Sequence, residues 1–327
     1  MPTRLPLSRS VSLLVVLAAT AGMLSACSAD DTPPSDASAA PLIPAAEEAT
    51  RYPLTLESPY GDSVLERRPE RVAAIVPNAI DTELLIALGV TPVLSSNMVT
   101  EGGYLDEYGA EDLDTYEVSM GEDLPVEAIA ASDPDLIVAV GWTEGYGGLR
   151  LSDVYGRLTD IAPVVMNPDA DSAQAVPWQE SIMVLGEALD LADAAQRVID
   201  EHEAWFTELR EDHPEFAGLT ATWAMEYGAS TGLQYWSQPG SASESFLQDL
   251  GFVPNPRAGQ FASSRDVSAE LVSELDADVL LMGRVVSTTD AEYDALVSSD
   301  RFQRLGAVSK GHLVELPAKT DDGGDLT

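Results

Sequence analysis

Short apolar runs and amphipathic stretches alternate along most of this chain, and the alternation occurs twice. Arg71-Val-Ala-Ala-Ile-Val76 has the length and apolarity of a buried strand. Pro77-Asn78 follows as a loop, and Asp81 to Leu88 carries a helical period that Gly89 closes. Later, Leu219 to Met225 is again strand-like, a Gly/Ser-rich loop follows, and Ser243 to Leu250 predicts a helix closed by Gly251. The residues at the two helix ends match as well, Leu88-Gly-Val-Thr-Pro92 against Leu250-Gly-Phe-Val-Pro254. A second echo pairs Glu127 with Glu270 and Asp135 with Asp278. In each copy a Glu opens a one- to two-turn helix, an Asp sits eight positions on, and an apolar run follows at once. A third sets Tyr155-Gly-Arg-Leu158, before Pro163 to Met166, against Phe302-Gln-Arg-Leu305, before His312 to Leu316. Strand–helix alternation builds mostly parallel sheets covered by helices. Three echoes in one order therefore predict an α/β chain of two similar, Rossmann-like lobes.

Between the halves lies a helical stretch from about Ser181 to Asp212, whose apolar positions Val198, Ile199, His202, Trp205, Phe206 and Leu209 follow the helical period. Pro214 stops it. A single helix of some twenty residues spans about 30 Å, enough to join two lobes and leave a cleft between them. Ligands of open α/β sheets bind beyond the carboxyl ends of the strands, so the loops after each strand should face that cleft.

The first fifty residues stand outside this pattern. Arg4 and Arg9 form a basic opening, and Val11 to Ala21 is an apolar run too short to span a bilayer comfortably. Leu24-Ser-Ala-Cys27 then resembles the lipobox of bacterial lipoproteins, in which cleavage before the cysteine leaves a thiol that carries a diacylglycerol. The stretch from Ser28 to about Thr50 is rich in Ser, Ala, Asp and Pro and reads as a flexible tether. The expected organisation is a signal peptide at 1–26, a lipidated Cys27 and tether at 27–50, a first lobe at 51–177, a helical connector at 178–214 and a second lobe at 215–327. Cys27 is the sole cysteine, which excludes disulfides and thiolate-metal chemistry from the mature domain.

The chain carries 17 basic and 55 acidic residues, a formal net charge of −38, with Lys310 and Lys319 its only lysines. Such a charge repels nucleic acid and anionic surfaces. Because the carboxylates are spread along the whole chain, the acidity reads first as a solubility device, with a cationic ligand as the sharper alternative.

Arg71-Val-Ala-Ala-Ile after Arg68-Pro-Glu70, the Glu83-Leu-Leu-Ile-Ala-Leu-Gly89 helix and the Asp133-Pro-Asp-Leu-Ile-Val138 step resemble the ferric-siderophore and cobalamin class of periplasmic binding proteins. The likeness runs from about Arg51 to Leu316. It implies a bilobal fold on a helical hinge that flexes little, and a function as the extracytoplasmic, lipid-anchored receptor of an ABC importer. The cargo it implies is a ferric siderophore, handed to a permease with its ATPase. In the family one glutamate on each lobe pairs with permease arginines, a role that the matching motif carries to Glu127 and Glu270. A glutamate in a helix's first turn also complements the macrodipole, and one residue can do both. At the C-terminus the chain departs from the family: after Leu313 to Leu316 it runs into Lys319 to Thr327 without the usual closing helix. Either the sequence is truncated or the second lobe is one covering helix short.

The strand-end loops supply the ligand-binding candidates Asn78, Trp142, Tyr146, Tyr227, Tyr235, Trp236 and Arg284. Aromatic rings flanked by glycine suit a large, partly apolar chelate, and arginines suit its anionic oxygens. The alternative for each tryptophan is that it caps its lobe's core. Haem, cobalamin or another metal complex would fit the same scaffold. Only His202, His213 and His312 exist, too scattered for a bare-metal site, so no resident metal or cofactor is expected. No nucleophile elbow, phosphate loop, His-Glu-x-x-His or dinucleotide fingerprint is present, and an enzyme reading has no positive support. A sensor or adhesin lipoprotein would share the anchor but would not need matched glutamates. A tethered receptor facing one permease is expected to be a monomer.

Overall fold

The computed structural model describes residues 41–100, 105–117, 123–142, 149–168, 177–229, 231–285 and 288–316. Cys27, Tyr146 and the C-terminal stretch after Leu316 lie outside them, as do the segments 143–148 and 286–287 that follow two strand ends.

A short antiparallel pair, β1 (Leu54–Leu56) and β2 (Ser63–Leu65), precedes the first sheet. That sheet is parallel. β3 (Val72–Ala74) pairs with β6 (Leu136–Val138), and β6 pairs in turn with β7 (Val164–Val165). On the other side of β3 a parallel bridge from Ala73 to Leu94 leads to β4 (Ser95–Ser96), which pairs with β5 (Thr115–Tyr116). Every residue of β3 and β6 is buried, which is why they read as unbroken apolar runs and not as an alternation. α1 (Ile80–Ala87), α2 (Val126–Ala131) and α3 (Leu151–Thr159) make the crossovers.

The second lobe repeats this plan. β10 (Val253–Pro254), β8 (Thr220–Glu226), β11 (Val279–Arg284) and β12 (Leu313–Glu315) form a parallel sheet in that order, with β9 (Leu233–Tyr235) antiparallel on β8. The order β4-β3-β6-β7 therefore corresponds to β10-β8-β11-β12, and the three sequence echoes fall on equivalent elements. α6 (Ala242–Asp249) matches α1, and both helices end on a glycine at positive φ, +73° for Gly89 and +100° for Gly251. In both, the next amide folds back to a carbonyl five residues earlier, Val90 to Leu85 at 2.8 Å and Phe252 to Leu247 at 3.0 Å. The paired aspartates also do equivalent work. The Asp135 carboxylate accepts the amides of Glu70 and Arg71 at the start of β3, while Asp278 accepts the amide and hydroxyl of Thr220 at the start of β8. α7 (Asp290–Val297) and α8 (Gly306–Ser309) complete the second lobe.

Three expectations need correction. The connector is two helices, α4 (Trp178–Leu189) and α5 (Ala192–Asp212), and not one continuous stretch from Ser181. Asp190 breaks it in a left-handed conformation at φ 55°, ψ 50°. The 21 residues of α5 still run about 30 Å, from Ala195 and Ile199 in the first core to Phe206, whose ring meets Phe246 of α6 at 5.8 Å. On the predicted apolar stripe, His202 is half-buried between Trp178 and Phe206, whereas Trp205 is 54% exposed.

The second correction concerns residues 41–50, assigned to the tether. They form a strap bound to the break between α4 and α5. The Asp190 carboxylate accepts the amides of Glu48, Ala49 and Thr50 at 3.0, 2.8 and 2.8 Å. In return, the Glu47 carboxylate caps the first turn of α5 through the amides of Asp193 and Ala194. Arg68 bridges the carbonyls of Leu189 and Pro44. Burial works against the charged form of Asp190, but the three amides and Arg68 outweigh it and hold its carboxyl below the usual range. The third correction is local: Glu270 lies in a turn before a 3-10 helix at Val272–Leu275, whereas Glu127 sits in the first turn of a true α-helix.

Candidate functional site

In both sheets all sheet-forming parallel strands point the same way, so the loops after β3, β6, β8 and β11 gather at the carboxyl edges. The second lobe's edge carries exposed chemistry. Tyr227, just past β8, stands at that edge, while Trp236, just past the antiparallel β9, lies opposite Trp223 on the flank of the sheet; both are half-buried, with ring centroids 5.8 Å apart. The Arg265 guanidinium lies over the Trp236 ring at 4.8 Å and donates to Gln238 Oε1 at 2.6 Å. A guanidinium over an indole face is held by the ring's quadrupole and can still donate from its other N–H groups. Arg284 ends β11, in register with Glu226 at the end of β8. It lies over Tyr293 at 5.0 Å and pairs with Asp290 at 2.7 Å. Burial pushes the Glu226 carboxyl up, against the hydrogen bond from the Gly228 amide, and the charge of Glu292 adds to the rise.

Two of the predicted ligand residues are in the cores instead. Tyr235 is fully buried, stacked on Phe261 at 4.4 Å, because strand alternation turns it to the side opposite its neighbours Gln234 and Trp236. Trp142 is 3% exposed and packs in the first lobe's core with Ile75, Tyr116 and Leu151. Asn78 does sit at the carboxyl edge, half-buried, with its side chain accepting the Ile80 amide at 2.9 Å and its carbonyl accepting the Ser96 hydroxyl.

The first lobe's edge also holds a residue that the reading of the sequence assigned only to a helix start. Asp81 is 1% exposed, and its Oδ1 accepts the Gly141 amide at 2.8 Å. Burial raises its carboxyl to about 7, against backbone hydrogen bonds from Gly141 and Val76. The signal was present: Asp81, Leu84, Leu85 and Leu88 share the buried stripe of α1.

The two matched glutamates are exposed on their lobes. Glu127 reaches Arg157 of α3 at 3.1 Å. Glu270 has its carboxyl lowered by its own amide and the Ser268 hydroxyl, with Arg301 nearby. A cavity of about 620 Å³ lies at the opposite, amino edge of the first sheet, lined by Arg71, Val93, Asp114 and Ser132, away from the predicted site. Among the described residues no three His, Cys, Asp or Glu side chains converge as a metal site, and no helix is long and apolar enough to cross a membrane.

The family profile described as periplasmic binding protein matches residues 76–320, from the end of β3 through the connector and the second sheet. The chain belongs to the periplasmic binding protein family. Among curated proteins it is 24% identical over 323 residues to the probable siderophore-binding lipoprotein YfiY of Bacillus subtilis, covering 95% of this chain and 91% of the relative. Among solved structures it resembles Staphylococcus aureus SirA complexed with staphyloferrin B, with a TM-score of 0.65, 20% identity and coverage of 80% of this chain and 88% of that one. PiaA of Streptococcus pneumoniae, in complex with ferrichrome, gives a TM-score of 0.62 at 24% identity over 80% and 88%. These likenesses share the fold of two α/β lobes on a helical backbone. A periplasmic binding protein captures solutes outside the cytoplasm, and the family is not one of enzymes.

Proposed function

We propose that the chain is the extracytoplasmic receptor of an ABC importer, that it captures a ferric siderophore between its lobes, and that Cys27 anchors it to the membrane. The observation that carries the ligand class is one flank of the second sheet, where Arg265 over Trp236 beside β9 meets Tyr227 at the carboxyl end of β8, with Arg284 at the carboxyl end of β11. Flat aromatic surface takes the apolar body of a chelate, and the guanidiniums take its anionic oxygens. From the first lobe, Asn78 at the carboxyl edge of its sheet is the matching candidate. The names of the relatives support the same class, since one is called siderophore-binding and two are solved with siderophores.

Glu127 and Glu270 are the docking contacts for the permease, one per lobe, and their exposure keeps them available to arginines of a partner. Intrinsic tryptophan fluorescence, titrated with ferric hydroxamate, catecholate and carboxylate siderophores, tests the ligand. Saturable quenching by one class is expected, and no response to any of them overturns the assignment. Glu127→Ala combined with Glu270→Ala should stop uptake in cells with ligand affinity unchanged, whereas a loss of affinity would place these residues in the pocket.

A further inference from the structure

A buried acid sits where the two central strands of the first lobe end. Asp81 stands in the first turn of α1, where the loop after β3 ends, and its Oδ1 accepts the Gly141 amide, so one side chain ties the end of that loop to the turn after β6. Oδ2 is equally buried and has no hydrogen-bond partner. The joint is tight: a Cβ on Gly141 would come within 2.8 Å of Ile80 and 3.1 Å of Asp81 Oδ1. Asn78 lies two residues beyond Val76, and Trp142 follows Gly141 into the segment that holds Tyr146.

Among the described residues no basic side chain pairs with this carboxyl. The titratable group facing it from β5 is Tyr116, whose phenol donates to the Ile75 carbonyl and is itself pushed up, first by burial and then by Asp81. From β4 comes Ser95, occupied with Thr82. Glu83 lies two residues on in α1 and so on the other side of that helix. An ionised carboxylate with an unpaired oxygen in such a place is costly, and its release is to admit water by letting the two loops part.

We propose that Asp81 is the positioning residue of the first lobe's half of the ligand site: its protonated carboxyl clips the loop after β3 to the turn after β6, and ionisation loosens that clip. This rests on the reading that cargo sits at the carboxyl edges of the sheets. It predicts that ligand affinity falls as pH rises through neutrality, because the ligand-ready arrangement keeps the proton and the loosened one gives it up.

The test has two arms. Without ligand, ¹⁵N–¹H spectra of the labelled protein between pH 5 and 9 should show the amides of Val76, Asn78, Gly141 and Trp142 moving together, with one midpoint near 7. Asp81→Asn, which keeps Oδ1 and loses the charge, should abolish that transition. With ligand, the dissociation constant of ferrichrome, or of whichever siderophore class quenches best, should rise about tenfold between pH 6 and 8.5 in the parent and stay flat and low in Asp81→Asn. Amides that do not titrate, that titrate with separate midpoints, or that still titrate in Asp81→Asn overturn the proposal. So does a parent pH profile that the variant shares. If no siderophore binds at all, the siderophore reading fails and the amide arm alone decides the role of Asp81.

Discussion

The two lobes share one topology and use it differently. On the flank of the second sheet, just past β9, Trp236 stands half-exposed under the Arg265 guanidinium. At the edge of the first, Trp142 has gone into the core and a buried aspartate holds the loops. One lobe thus presents side-chain surface and the other presents held backbone. The lobes share what the chain needs to close each βα unit, the glycine after the helix and the aspartate before the strand, and they differ at their edges. The matched glutamates differ as well: Glu127 is on a helix and engaged by Arg157, while Glu270 is on a turn with Ser268 as its neighbour.

The largest effect should come from treating the two tryptophans alike. Trp142→Ala empties a core position and should destabilise the protein by about 3–5 kcal/mol in urea unfolding. Trp236→Ala should cost far less stability, and equal losses at the two sites would erase the contrast between core and site. Trp236→Ala or Arg265→Ala should instead weaken siderophore binding about tenfold or more, about 1.4 kcal/mol by isothermal titration. Unchanged affinity in both would remove the second edge from the site.

Smaller effects sharpen the comparison of the paired aspartates. Asp278→Asn should lower stability by about 1 kcal/mol at neutral pH through its two bonds to Thr220. The amide and hydroxyl of Thr220 depress the folded-state pKa of Asp278, so the stability it supplies is full above about pH 4. It is lost as pH falls through the lower folded value, and the gap between parent and variant should close in acid. A gap constant down to pH 2 would show that the charge is not what caps β8. The smallest change belongs to Arg157→Gln. Its pair with Glu127 is exposed on both sides, and less than about 0.5 kcal/mol should register in a thermal melt.

What could be read in the sequence followed from local demands on particular residues. Gly89 and Gly251 were visible as helix stops because few other residues accept a positive φ there. Asp135 and Asp278 were visible as a repeat, although their bonds to the starts of β3 and β8 were not. Tyr235 was misplaced because adjacent residues leaving a strand differ only in parity, which the sheet decides. The break at Asp190 carries neither Gly nor Pro, and its partners lie some 140 positions away in a stretch with no period. Asp81 was passed over because an acid in a helix's first turn already has an ordinary explanation in the dipole, although its stripe pointed inward.

The strap over Asp190 has a mechanical meaning. Chain arriving from the N-terminal side is fastened first at the joint between α4 and α5, through Glu47 and the amides of residues 48–50. A pull transmitted along it is delivered to the first lobe, whose core holds Ile43 of the strap together with Leu189, Leu191 and Ala195 of the joint. A leash tied to one jaw loads that jaw first, so tension from that side is borne by the first core before any of it travels along α5 to the second lobe.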